Sequence, residues 1–192
     1  TEGPKGARIA VGPCVCQRAL DTWREPCKKD MVVLYGADIY HHLNRGYELI
    51  DGKQAKALLH EYADAGLVHA VEFCMQSGKW VFVICSCDTE ICVPARVFLL
   101  TGRFMYKGPE EAVHDSAECV GTEACGRCIT RCIFGANREE PDGTVSLDIE
   151  RCYGCGLCVD TCLGQARTMR ARADYRHEHH VSSKILLGQE GI

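Results

Sequence analysis

The sequence predicts an α+β chain built as two small units, and three observations predict it. Up to residue 108, strand-like apolar runs alternate with one clear amphipathic helix, the pattern of a small α/β domain with a hairpin. Residues 109–170 carry one cysteine pattern twice, as C-x2-C-x2-C-x3-C over Cys152–Cys162 and with a longer first spacing over Cys119–Cys132. Cysteine is far over-represented, at 15 of 192 residues. Residues 171–192 follow as a basic, histidine-containing tail.

In the first unit, Arg8–Val11 is a short apolar run leading into Gly12-Pro13-Cys14-Val15-Cys16. Met31–Tyr35 reads as a strand stopped by Gly36, and Asp38–Tyr47 as a short helix ending near Gly46. Asp51 stands as an N-cap with Gln54 at the capping-box position. Ala55, Leu58, Leu59 and Tyr62 then share one helical face, and Gly66 marks the end. Leu67–Phe73 and Trp80–Ile84 read as two strands joined by a turn at Gln76–Lys79. In the second unit, Glu110–Glu118 reads as a polar link with helical character. Val145–Leu147 is a short strand, and Ile129–Arg131 and Val159–Thr161 are short helices.

Net charge is −4, which does not suggest nucleic acid as a partner. No apolar run reaches the ~20 residues that span a bilayer. Thr1–Arg8 is polar, without the apolar core of an export signal. The odd cysteine count argues against a disulfide framework, so a reducing cytoplasm and metal ligation are expected.

The cysteines divide into eight from Cys119 onward and seven up to Cys92. Eight is what two clusters with four thiolates each require. Removing Thr122-Glu123-Ala124 from the first copy brings its cysteines into register with the second. A three-residue insertion therefore explains the C-x5-C spacing; the competing idea is that Thr122 replaces a lost ligand. A four-cysteine zinc site usually shows two separated C-x2-C pairs instead.

In the first unit Cys14, Cys16 and Cys27 lie near the start, and Cys85, Cys87 and Cys92 follow the hairpin. Two C-x-C pairs at element ends suggest a third metal site, closed when the fold brings them together. A 4Fe–4S cluster is the first choice there, with zinc as the alternative. Cys74, alone on a strand, reads as a buried hydrophobe. Seven candidates stand for four places, and the assignment stays open.

On these motifs, residues 119–169 resemble a two-cluster bacterial ferredoxin. The resemblance implies that Cys119, Cys125, Cys128 and Cys162 hold one 4Fe–4S cluster and that Cys152, Cys155, Cys158 and Cys132 hold the other, the fourth ligands crossing over. The proline that usually follows the fourth cysteine is replaced by Ile133 and Leu163, whose N–H groups become possible donors to sulfur. The first unit is similar to domains fused to such modules in small iron–sulfur proteins of anaerobes. Some of those are electron-transfer subunits of large oxidoreductases, including tungsten enzymes of the aldehyde oxidoreductase and benzoyl-CoA reductase type.

No phosphate loop, dinucleotide turn or nucleophile elbow occurs. His41, His42, Glu61, His69 and Asp88 form no recognisable catalytic set. The expectation is therefore an electron-transfer protein relaying single electrons through two 4Fe–4S clusters and a third, with no catalytic residue of its own. Its expected partner is a larger redox enzyme or a soluble electron carrier, in a hetero-oligomer. The alternatives are an iron–sulfur or zinc-based regulatory or assembly module, and a small enzyme binding substrate at an N-terminal cluster. Arg96, Arg103 and Lys107 are candidate charges for stabilising a reduced N-terminal cluster. The arginines after Ala166 read as a solvated tail or as an arm docking on an acidic partner, and His177, His179 and His180 are a weak metal candidate.

Overall fold

The computed structural model describes residues 9–43, 45–76, 79–173 and 175. The expectations for the N-terminal Thr1–Arg8, for the Ser77-Gly78 turn tip and for the tail histidines lie outside these residues. The chain is α+β.

The first unit is a five-stranded sheet in the order β3-β1-β2-β5-β4, antiparallel throughout. Its strands are β1 (Ile9–Pro13), β2 (Lys28–Val33), β3 (Glu48–Ile50), β4 (Val68–Gln76) and β5 (Lys79–Cys87). The helices are α1 (Val15–Ala19), α2 (Tyr35–His42), α3 (Gly52–Asp64) and α4 (Val93–Thr101). Strand period explains the two faces. Ala10, Val32 and Val83 point to one side and pack with Ala37, Tyr40 and Tyr47. Their neighbours Val11, Met31 and Ile84 point to the other and pack with Ala55, Tyr62 and Leu67. Helices α2 and α3 thus cover opposite faces.

The expected capping box is present: Asp51 Oδ1 accepts from the Gln54 N–H at 2.7 Å, and Gln54 Oε1 accepts from the Asp51 N–H at 2.9 Å. The hairpin is β4–β5, longer than its sequence signal. The helix expected over Asp38–Tyr47 runs earlier, as α2, because the chain turns back at Gly46 (φ +83°) to add the edge strand β3.

The second unit holds β6 (Glu110–His114), α5 (Gly121–Ala124), α6 (Arg127–Thr130), β7 (Asn137–Glu139), β8 (Val145–Leu147), α7 (Leu157–Asp160) and β9 (Arg167–Ala171). β7 pairs with β8, and β6 with β9. The helical character expected at Glu110–Glu118 is corrected: its first residues are strand, with Ala112 buried against Ala136 and Cys152. The residues from Arg167 to Arg172 are not tail either. They form strand β9 and its end, tied down by Glu111, whose Oε1 accepts from Arg170 Nε at 2.9 Å and whose Oε2 accepts from Arg172 Nη1 at 2.8 Å. The three-residue insertion is taken up as the single turn α5.

Candidate metal centres

The two copies of the motif fold alike. Each has a left-handed glycine, Gly126 or Gly156, followed by a one-turn helix, α6 or α7, and then its fourth cysteine. In both, the backbone N–H four residues past that cysteine donates to its sulfur: Ala136 to Cys132 Sγ at 3.3 Å, and Ala166 to Cys162 Sγ at 3.2 Å. The donors expected at Ile133 and Leu163 are thus found further on, at Ala136 and Ala166. A third amide, Ala112 N–H, meets Cys152 Sγ at 3.5 Å. Gly154 sits between Cys152 and Cys155 at φ +78°, with no room for a Cβ beside the Glu110 carbonyl. That close approach joins the cysteine loop to β6.

The pairing of the motifs is crossed. Cys119, Cys125, Cys128 and Cys162 line one small void, of about 20 Å³. Cys132, Cys152, Cys155 and Cys158 line another of the same size, about 20 Å³. The fourth cysteine of each copy therefore faces the other copy's first three. Burial raises the Cys155 thiol and pushes Cys158 up to about 12. Burial also raises Cys128, against the pull of the Arg167 guanidinium, whose Nη2 lies 3.7 Å from Cys128 Sγ. Thr122 is not a ligand in waiting: its hydroxyl meets Glu139 Oε1 at 2.5 Å and the Gly143 carbonyl at 3.0 Å.

In the first unit the fold brings together Cys14, Cys16, Cys85, Cys87 and Cys92. Cys85 neighbours Cys87, Cys87 neighbours Cys92, and Cys92 neighbours Cys16, with Cys14 close to Cys16. Cys85 and Cys87 share one face of β5, and Cys92 is the N-cap of α4. The first N–H groups of that helix are aimed at sulfur, Val93 at Cys16 and Ala95 at Cys92. A helix N-terminus favours thiolate over thiol. The Cys87 thiol donates to Cys92 and, against burial, brings it down to about 7, helped by the Ala95 N–H. Donating to Cys85 and to Cys92, and then burial, push Cys87 up, and burial lifts Cys16 to about 11. Beside them, Asp30 Oδ1 accepts from Cys85 Sγ at 3.1 Å, and Tyr47 donates its hydroxyl to Oδ2 at 2.6 Å.

Cys27 lies next to this group, its carbonyl accepting from the Cys14 N–H at 3.0 Å, with its sulfur turned to other partners. Its sulfur lies 3.4 Å from Glu25 Oε1 and 3.6 Å from the Arg24 carbonyl. Of the expected charges, Arg96 donates to the Glu90 carbonyl at 3.3 Å and Lys107 pairs with Glu150 at 3.4 Å. Among the described residues, Arg167 is a cation that does reach a cysteine sulfur, hidden from sequence reading because its strand looked like the start of a tail.

Besides the Lys107–Glu150 pair, a polar and an aromatic contact join the units beside these groups. Arg131, next to Cys132, reaches the last turn of α3. Phe98 of α4 meets Phe134 and Tyr153 edge-on, with ring centroids 5.6 and 4.9 Å away, and Phe134 stacks on Tyr153 at 4.3 Å. A cleft of about 540 Å³ opens alongside, with Cys87 on one wall and Cys155 on another.

The buried side chains beside the Cys119 group fit a negatively charged occupant. Arg167 is only 3 % exposed, and its Nη1 is buried without a hydrogen-bond partner. An anionic group in the Cys119 void would satisfy it. Among the described residues, no three Cys, His, Asp or Glu side chains stand close enough to grip a single metal ion. Also among the described residues, no helix is long and apolar enough to cross a membrane. Comparison with protein families, with curated proteins and with solved structures finds no match to this chain.

Proposed function

We propose that the protein is an iron–sulfur electron-transfer protein, holding two 4Fe–4S clusters in its second unit and a third in its first. The observation that carries this reading is the crossed sorting of eight cysteines into two groups of four, each around its own void. When bound, a cubane with four thiolate ligands supplies one-electron transfer without an open coordination position. The chain's own residues do the rest. Cys128 and Cys132 belong to different groups yet lie four residues apart, the first inside a one-turn helix and the second just past its end, and so do Cys158 and Cys162. Ala112, Ala136 and Ala166 direct N–H groups at cysteine sulfur, which favours the more negative reduced state. Phe98, Phe134 and Tyr153 fill the space between α4, which begins at Cys92, and the loops of the Cys152 group.

Five gathered thiols in the first unit offer a full set of four, which supports a relay station there over a cluster with an open iron for substrate. A larger redox enzyme is the partner we propose, served in a cytoplasmic complex; a soluble carrier is the simpler form of the same role. Anaerobic reductive titration followed by electron paramagnetic resonance tests the relay. The reading expects uptake of about one electron per cluster, each reversible on reoxidation. Uptake of none rejects it. Native mass spectrometry of anaerobically isolated protein tests the partner, and a lone monomer with no bound enzyme counts against the subunit role.

A further inference from the structure

We propose that Arg167 sets the reduction potential of the centre held by Cys119, Cys125, Cys128 and Cys162, raising it relative to the others. This inference rests on the iron–sulfur reading of the cysteine groups. It is a statement about a positioning charge, not about a ligand.

Arg167 opens β9, directly after Ala166, whose N–H already reaches Cys162 Sγ. Its side chain lines the void of the Cys119 group, and Nη2 lies 3.7 Å from Cys128 Sγ. The residue is 3 % exposed, and among the described residues it has no carboxylate partner. Nη1 lacks any hydrogen-bond partner. Its neighbours in β9 differ: Arg170 and Arg172 both pair with Glu111. Directly across the strand pair stands His114, with Nε2 also buried and unpartnered.

A buried guanidinium without a counter-charge is costly, so it belongs where a negative charge comes to reside. Reduction adds one negative charge to a cluster in the void beside it. Low local dielectric makes that charge's attraction to Arg167 strong. The reduced form gains more than the oxidised form, and the potential rises. The guanidinium also acts on Cys158 of the Cys152 group, without a hydrogen bond to it. The effect is therefore largest at the Cys119 group, which becomes the end of the relay where electrons collect.

The test is anaerobic redox titration of the full chain as wild type, Arg167→Gln and Arg167→Lys, with iron and sulfide counted in each. With iron retained, Arg167→Gln should move one centre to a lower potential, cutting its ratio of reduced to oxidised form about tenfold at fixed poise, or about 59 mV for one electron. The other centres should move less, and Arg167→Lys should fall between Gln and wild type. If Arg167→Gln sheds iron, His114→Glu is the second variant. It leaves Arg167 in place and offers it a carboxylate across the strands, so the same potential should fall. An unchanged potential in the variant that keeps its iron overturns the proposal, as does an equal shift of all centres. A wild-type protein without iron instead overturns the iron–sulfur reading itself, so the two failures are distinct.

Discussion

The guanidinium of Arg131 donates from Nη2 to the carbonyl of Asp64 at 3.0 Å, and from Nη1 to the neighbouring Ala63 carbonyl at 3.2 Å. Both acceptors belong to the last turn of α3, where the helix dipole is negative, and the Ala63 carbonyl also accepts from the Gly66 N–H at 2.9 Å. Arg131 precedes Cys132, so this cap fastens the Cys152 group to the sheet unit. Replacing Arg131 by Met should cost about 1–2 kcal/mol, read by anaerobic denaturant unfolding. Unchanged unfolding would show that the cap does not hold the units together.

Phe98 makes the apolar half of the same junction. Losing its two edge-on contacts and its partial burial should cost about 2 kcal/mol in Phe98→Ala. The cysteines of the second unit are untouched, so iron bound there should be retained. Limited proteolysis between residues 102 and 109 should accelerate in this variant. Equal cleavage rates would place the junction's strength elsewhere.

The first-unit cysteines should divide sharply under substitution. Cys16→Ser and Cys92→Ser should each lower the iron count by about four per chain, one cubane's worth. Cys27→Ser should leave it unchanged, since that sulfur is held by Glu25 Oε1 at 3.4 Å. Iron loss in Cys27→Ser equal to that in Cys92→Ser would reverse the assignment.

His69 gives the fold an acid-sensitive point. Its Nε2 donates to the Leu59 carbonyl at 3.1 Å, which leaves Nδ1 to accept from the Ser86 hydroxyl at 3.0 Å. Burial lowers its folded pKa below the ordinary value of 6.5. The neutral ring is thus favoured on folding. Its contribution is fully present above the unfolded value and declines as pH falls from there through the folded pKa. Between pH 7.5 and 5.5, wild type should lose more stability than His69→Gln in parallel unfolding curves. Identical losses would remove His69 from the account.

Local signals and spacing were legible in the sequence. Asp51 and Gln54 announced α3 through one capping box, and the cysteine spacing announced a repeated motif, whose crossing was implied only by the ferredoxin resemblance. What could not be read depended on long-range pairing. Glu110–His114 is too charged to look like a strand until β9 supplies its partner. Arg167 looked like a tail cation because nothing in its neighbourhood reveals that Cys128 lies beside it. Cys27 matched Cys14 and Cys16 in type and position, and only its turn toward Glu25 separates it from them.

The central claim is that three sulfur-lined sites hold iron. Iron and acid-labile sulfide counted on protein isolated without oxygen test it most directly. The account predicts about twelve of each per chain, four per cluster. Colourless protein carrying neither, or zinc alone, would contradict it.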